Sequence, residues 1–273
     1  MTVNVALVTG ARSGIGLELT RKLLRGGWEV IALLRSPLPQ YEDIKSAGMA
    51  GQLRCYFADL ANFADLGRFH ADIKRHESSI DVLFNNAGVN TEKRENSPQG
   101  RELHFEMNVL VPYILSRELL PLLKKGRMSR IINTSSNALL SVKHFEPHSL
   151  GDPSRFQKLF GPYANSKLAL SLWTKAAAPE FAKQGVSLVS TCPGPNRTPM
   201  TGGSGMPLLL RPFVPLFFKH PGVGAQKLLK AAVDADLPSG SFIMNGSIRP
   251  LPFAERAPEV LTIVDNLHRS IGI

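Results

Sequence analysis

The sequence predicts an α/β chain built on a doubly wound parallel sheet of about seven strands, with helices on both faces. Three observations point to it. Short β-rich runs alternate with longer helical patterns, a glycine-rich turn joins the first strand to the first helix, and no repeat or low-complexity linker breaks the alternation. Strands separated by helices need right-handed crossovers, which lay the strands parallel and put helices over both sides of the sheet. A single domain covering residues 1–273 is expected, since one core of this kind accommodates a chain of that length.

Taken in order, the candidate strands are Val3 to Val8, Val30 to Leu34, Leu53 to Phe57, Asp81 to Phe84, Ile131 to Thr134, Val186 to Thr191 and Phe242 to Met244. Helical periodicity falls between most of them, over Gly16 to Arg25, Phe63 to His76, Arg101 to Leu123, Pro162 to Lys183 and Val223 to Ala235. Pro179 lies inside the fourth of these and should kink or end it.

Composition narrows the classes. Hydrophobic residues make up 43% and charged residues 20%, an ordinary globular mixture. Lys and Arg number 32 against 22 Asp and Glu, a net charge of +10 that suits an anionic ligand or an acidic surface. No run of five basic residues occurs, which argues against a nucleic-acid arm. The two cysteines, Cys55 and Cys192, sit in short apolar stretches and read as small buried residues in a reducing compartment. A strand begins almost at once, with no basic leader before an apolar core, so a secretory segment is not expected and a cytoplasmic location is. The oily region Met206 to Phe218 is broken by Arg211 and three prolines and is too short to span a bilayer. The seven histidines show no metal-ligand spacing.

The first strand runs into Thr9-Gly10-Ala11-Arg12-Ser13-Gly14-Ile15-Gly16 and then a helix. Small residues there let the backbone approach a pyrophosphate, and the helix N-terminus offers it free amides. The second strand ends Leu34-Arg35, with no carboxylate where a ribose diol would be held. Arg35, with Arg12 in the turn, therefore favours NADP(H) over NAD, the plain alternative being a solvated loop arginine. Asp59-Leu60 and Asn85-Asn86-Ala87-Gly88 follow the third and fourth strands and are placed to meet the adenine and ribose. Tyr163 and Lys167, four residues apart on a helix, share one face with Cβ atoms about 6 Å apart. An ammonium beside a phenol whose pKa is ordinarily near ~10 would make it a usable acid.

With Pro193-Gly194-Pro195-Asn196-Arg197-Thr198, these motifs, in this order, resemble the short-chain dehydrogenase/reductase family over essentially the whole chain. The resemblance implies a Rossmann fold and assigns roles. Gly10, Gly14 and Gly16, with Ser13 and Ile15, would hold the phosphates. Asp59 would meet the adenine amine, and Asn86 the adenosine ribose region. Pro193, Gly194 and Thr198 would border the nicotinamide. Asn108 matches an asparagine that holds a water in a proton relay, and Ser136, rather than Ser135, matches the serine that holds the substrate oxygen. Tyr163 would be the general acid in reduction and the base in oxidation, with Lys167 lowering its pKa and touching the nicotinamide ribose. The long gap from Ser136 to Tyr163, spanning Leu139 to Lys158, resembles the retinol-dehydrogenase-like and WW-domain-oxidoreductase-like branch. The helix carrying Tyr163 commonly packs against its counterpart in family dimers, so a homodimer is one possibility that a kink at Pro179 would disturb.

Residues 196–220, rich in glycine and then in Leu, Phe and Pro, are expected to form a substrate lid, although ordinary core packing explains about half of them equally well. Docking of this segment on a membrane surface is a third reading. The expected substrate is a lipophilic aldehyde, ketone or alcohol. A cofactor-binding regulatory or scaffold protein is the alternative, and it would be signalled by substitution at Tyr163, Lys167 or Ser136. A nucleotide-sugar epimerase would want a shorter glycine spacing and a larger C-terminal domain.

Overall fold

In the computed structural model, described for residues 3–203, 205–207 and 214–272 (backbone only at 214 and 215), the first half comprises β1 (Val5–Thr9), α1 (Gly14–Arg25), β2 (Glu29–Leu34), α2 (Glu42–Met49), β3 (Leu53–Phe57), α3 (Phe63–His76) and β4 (Val82–Asn85). The chain continues through α4 (Leu103–Phe105), a π-helical stretch over Glu106–Leu110, α5 (Val111–Glu118), α6 (Leu120–Leu123), β5 (Arg130–Thr134), α7 (Pro162–Lys183) and β6 (Ser187–Cys192). It ends in α8 (Pro199–Gly202), α9 (Val214–Phe217), α10 (Pro221–Val233), β7 (Phe242–Met244), β8 (Ser247–Ile248) and α11 (Ala257–Ile271).

The strands form one sheet in the order β3-β2-β1-β4-β5-β6-β7-β8, parallel except for the β7–β8 pair. Alternate residues of each strand serve opposite faces. Ala6, Val8, Val30, Ala32, Val82 and Phe84 pack with Leu19 and Leu23 of α1 and Leu228 of α10. Leu7, Ile31, Leu33, Leu83 and Ile131 pack instead with Leu66 and Phe69 of α3, Ile114 of α5 and Leu172 and Trp173 of α7. This two-faced burial is the single α/β domain that the alternation predicts.

The structure differs from expectation at five places. An eighth, antiparallel strand closes the sheet after a turn through Asn245 and Gly246. The helices α2 and α11 were not anticipated. The expected helix from Arg101 to Leu123 is three helical pieces and a π-helical stretch, because Pro112 has no N–H for the Asn108 carbonyl and Pro121 starts a new turn. α7 runs from Pro162 to Lys183, the bounds its periodicity predicts, and is not ended by Pro179; Phe181 beyond the proline is fully buried, and that anchor outweighs one lost backbone bond. Cys55 is exposed, since β3 is the sheet edge and its outer face is uncovered, whereas Cys192 is buried as expected.

α11 lies along α7 and α5 with Val260 and Val264 fully buried. Tyr113 Oη donates to Asp265 at 2.8 Å, Arg117 forms ion pairs with Asp265 and Glu180, and His268 meets Glu118 at 3.1 Å. From Pro162 to Thr174, every α7 residue except Asn165 is buried. Among the described residues, no helix is long and apolar enough to cross a membrane.

Candidate active site

The strand order reverses between β1 and β4, and the carboxyl ends of these strands open into a cleft of about 740 Å³. Its wall includes the glycine turn, Arg12, Ser13, Ile15, Arg35, Asp59, Leu60, Asn86 to Gly88, Ser136, Tyr163, Lys167, Pro193, Gly194 and Thr198. Of the predicted site residues, Asn108 stands behind this wall.

The glycine turn is shaped by exclusion. Gly10 and Gly14 have φ of +67° and +55°, where a side chain would be strained. A Cβ at Gly16 would sit 2.2 Å from the Gly10 carbonyl oxygen and 2.6 Å from Asn86 Nδ2, so α1 can approach the turn only without one. The N-cap Ser13 makes no side-chain capping bond, and the first turn of α1 carries no acid. Amides at a helix start that no side chain caps are a site for anionic oxygen, so the residues present fit the pyrophosphate of a dinucleotide. Thr9, which sequence reasoning passed over, holds this arrangement together: its Oγ1 accepts from both Asn86 N–H and Ala87 N–H at 2.9 Å, and its carbonyl accepts from Asn86 Nδ2 at 3.0 Å.

At the far end of the cleft Arg35 is exposed and makes no ion pair among the described residues, and Arg12 Nε donates to the Pro37 carbonyl at 3.0 Å. Asp59 is half-buried, with Oδ1 accepting from Ala61 N–H at 3.0 Å and its own N–H donating to Asp65.

At the other end α7 brings Tyr163 and Lys167 to the ends of β5 and β6. Ser136, which caps a 3₁₀ turn by accepting from Ala138 N–H at 3.2 Å, faces the phenol. Ser135 turns inward to Ser171 at 2.8 Å. Lys167 Nζ donates to the Thr134 carbonyl at 2.8 Å and stands 5.9 Å from the centre of the Tyr163 ring. Asn108 accepts from Val89 N–H at 2.9 Å and donates to Val89 O and Ser166 Oγ, so its amide secures the strand-end loop against α7. A Cβ on Gly88 would lie 2.8 Å from Asn108 Oδ1 and 3.4 Å from Lys167 Nζ.

One electrostatic expectation is reversed. Burial pushes the Tyr163 phenol up to about 12, with Ser136 acting against it, and burial pushes Lys167 down to about 8. The ammonium serves Thr134 from across the ring and does not overcome the desolvation that both groups share. A stability consequence follows. The unfolded chain keeps the Lys167 proton up to its ordinary 10.5 and the folded chain only to about 8. Between those values the unfolded state binds more protons, so stability rises with pH there, by up to about 3 kcal/mol. Urea melts at a series of pH values should show this rise in the parent and lose it in Lys167→Met; parallel curves would refute it.

Met200, Met206 and Phe218 of the expected lid line the cleft together with Leu159 and Phe160 from the stretch before α7. Ser204 and residues 208–213 of that lid lie outside the described residues. In the Leu139 to Lys158 stretch, Phe145 and Leu150 are core, while His148 and Lys158 pair with Glu259 and Glu92 away from the chemistry. Asn196, also passed over, accepts from Gly224 N–H at 3.0 Å and donates to Gly194 O at 2.7 Å, tying the turn after β6 to α10.

Residues 4–148 match the family model described as short chain dehydrogenase. Retinol dehydrogenase 13 of Mus musculus is 31% identical over 241 residues, covering 85% of this chain and 72% of that protein. The chain belongs to the short-chain dehydrogenase family. Within it, the matches to retinol dehydrogenases place it in a retinol-dehydrogenase-like branch of these oxidoreductases. Two solved structures share its fold. An NADPH-bound carbonyl reductase from chicken fatty liver superposes with a TM-score of 0.66 at 24% identity, covering 91% of this chain and 99% of that one. A 4-hydroxyisoleucine dehydrogenase complexed with NADH superposes with a TM-score of 0.68 at 24% identity, covering 89% and 98%.

Proposed function

We propose that this short-chain dehydrogenase is an NADP(H)-dependent oxidoreductase that interconverts a lipophilic aldehyde or ketone and its alcohol. The observation that carries this reading is the meeting of Tyr163, Ser136 and Lys167 at one end of a cleft whose other end is an uncapped helix start. The glycine turn and the start of α1 would hold the pyrophosphate, and the dinucleotide supplies the hydride. Tyr163 gives its proton to the carbonyl oxygen during reduction, and Ser136 donates a hydrogen bond to the same oxygen. Lys167, still mostly protonated at neutral pH, holds positive charge between the phenol and Gly88. Met200, Met206, Leu159 and Phe160 give the substrate end an apolar wall that excludes water from the transfer. Support for the substrate class comes from the relative named for retinol, a lipophilic alcohol.

The NADP preference rests on Arg35, an exposed cation that makes no ion pair among the described residues and lines the cleft where the adenosine ribose would lie. An arginine–phosphate pair contributes about 1.5–3 kcal/mol, so Arg35→Asp should weaken NADP(H) binding roughly tenfold to hundredfold and leave NAD(H) unaffected or improved. Titrating both reduced cofactors by their fluorescence checks this, and an unchanged ratio would show that Arg35 does not read the phosphate.

A further inference from the structure

We propose that Glu102 and His104 form a positioning pair that sets the Tyr163 ring and the loop Gly88 to Thr91 together. The inference rests on the oxidoreductase reading above. Both side chains are fully buried, at 1% and 0% exposure, and each sits within a closed set of partners. His104 Nδ1 lies 2.6 Å from Glu102 Oε1, and Nε2 lies 3.1 Å from the Thr91 nitrogen. An amide N–H can only donate, so Nε2 accepts and the imidazole proton points from Nδ1 at Glu102. Glu102 Oε2 in turn accepts from Phe105 N–H at 2.9 Å, fixing the pair to the start of α4.

What this pair holds is the substrate side of the cleft. The His104 ring stands edge-on to the Tyr163 ring, with centroids 6.2 Å apart and planes at 77°. Val89 is clamped by Asn108, and Thr91 is clamped by His104, two residues on. Between the clamps Asn90 is the seat for the turn before Met206: a Cβ on Gly205 would meet the Asn90 carbonyl oxygen at 2.3 Å. One imidazole therefore braces the phenol, the loop beneath the substrate and the base of the cover. The phosphate cradle lies elsewhere, on α1. Loosening the pair should misplace the proton donor and leave dinucleotide affinity intact. A misplacement of about 1 Å costs roughly a hundredfold in rate.

His104→Phe keeps a ring but neither accepts from Thr91 nor donates to Glu102, whereas the amide of His104→Gln can do both. Three readouts separate the outcomes: kcat and KM for a lipophilic aldehyde, NADPH affinity by fluorescence, and amide hydrogen exchange over residues 89–91. The expected result for His104→Phe is a kcat lowered roughly tenfold to hundredfold, NADPH affinity within about twofold of the parent, and faster exchange at Thr91; His104→Gln should recover most of each loss. Parent-like kcat and exchange in a folded His104→Phe would overturn the proposal, as would a His104→Gln no better than His104→Phe. Should His104→Phe fail to fold, Thr91→Pro removes the N–H, together with the hydroxyl that donates to Lys93 O, and leaves the buried pair whole, while Thr91→Ala removes the hydroxyl alone. A fall in kcat in Thr91→Pro that Thr91→Ala does not share supports the proposal, and a parent-like kcat in Thr91→Pro or an equal fall in both overturns it. Tyr163→Phe separates the two readings. If it matches the parent, the function assigned above fails while the exchange data still decide the tether; if it is inactive and His104→Phe is unimpaired, the positioning role alone fails.

Discussion

Tyr163→Phe should lower carbonyl reduction about a thousandfold while leaving the fold and NADPH binding in place. Phenylalanine keeps the ring against His104 and within the core around α7, and removes only the oxygen opposite Ser136. A positioned general acid contributes about 10²–10⁴-fold, or about 4 kcal/mol of barrier at the middle of that range. The loss should fall on kcat, since dinucleotide affinity resides in the glycine turn and the substrate wall is otherwise intact. The measurement is NADPH oxidation against a panel of lipophilic aldehydes and ketones, parent beside variant, with NADPH fluorescence confirming that both bind cofactor. Equal rates would remove Tyr163 as the proton donor. The raised phenol pKa bears on the direction of the reaction: a phenol near 12 holds its proton at neutral pH, which suits giving it to a carbonyl better than taking one from an alcohol.

The second large effect is expected at Gly16. In Gly16→Ala the new methyl would enter the space of a backbone carbonyl, that of Gly10, at 2.2 Å, and backbone has no rotamer with which to move away. α1 must then shift from β1. That strain costs about 3 kcal/mol, lowers the melting temperature by roughly 10 °C for a domain of this size, and opens the anion cradle. NADPH affinity should fall with it. Gly48→Ala on α2 is the contrast, because a Cβ there meets nothing within 4 Å and alanine is the better helix former; it should be neutral or slightly stabilising. Melting curves and cofactor titrations on the two variants check both statements. A Gly16→Ala protein with parent-like melting and affinity would mean that the close approach of turn and helix is not required.

Much of this site was legible because its chemistry is tied to strand ends. Periodicity places β2, β3 and β4 within a residue or so, and the turns following parallel strands converge on the cleft, which puts Arg35, Asp59 and Asn86 along its wall. Polar residues that act by packing were not legible. Thr9 and Asn196 look in sequence like a strand end and a loop amide, and only the fold brings them to the backbones they secure. Glu102 and His104 fall inside the expected helix from Arg101 to Leu123 and carry no motif, so nothing in their spacing marks the burial of both. The sign of the Tyr163 shift was missed for a related reason: the spacing of Tyr163 and Lys167 shows their proximity, whereas the depth at which both lie decides which interaction dominates.

α11 packs over the outer surface of the helix carrying Tyr163, with Val260 and Val264 fully buried. The helix that carries Tyr163 is thus braced from outside by residues nearly a hundred positions further along the same polypeptide. Shortening the chain before Ala257 would take Asp265 from the Tyr113 hydroxyl and uncover the ring that Trp173 packs against, so harm done in α11 would reach α7.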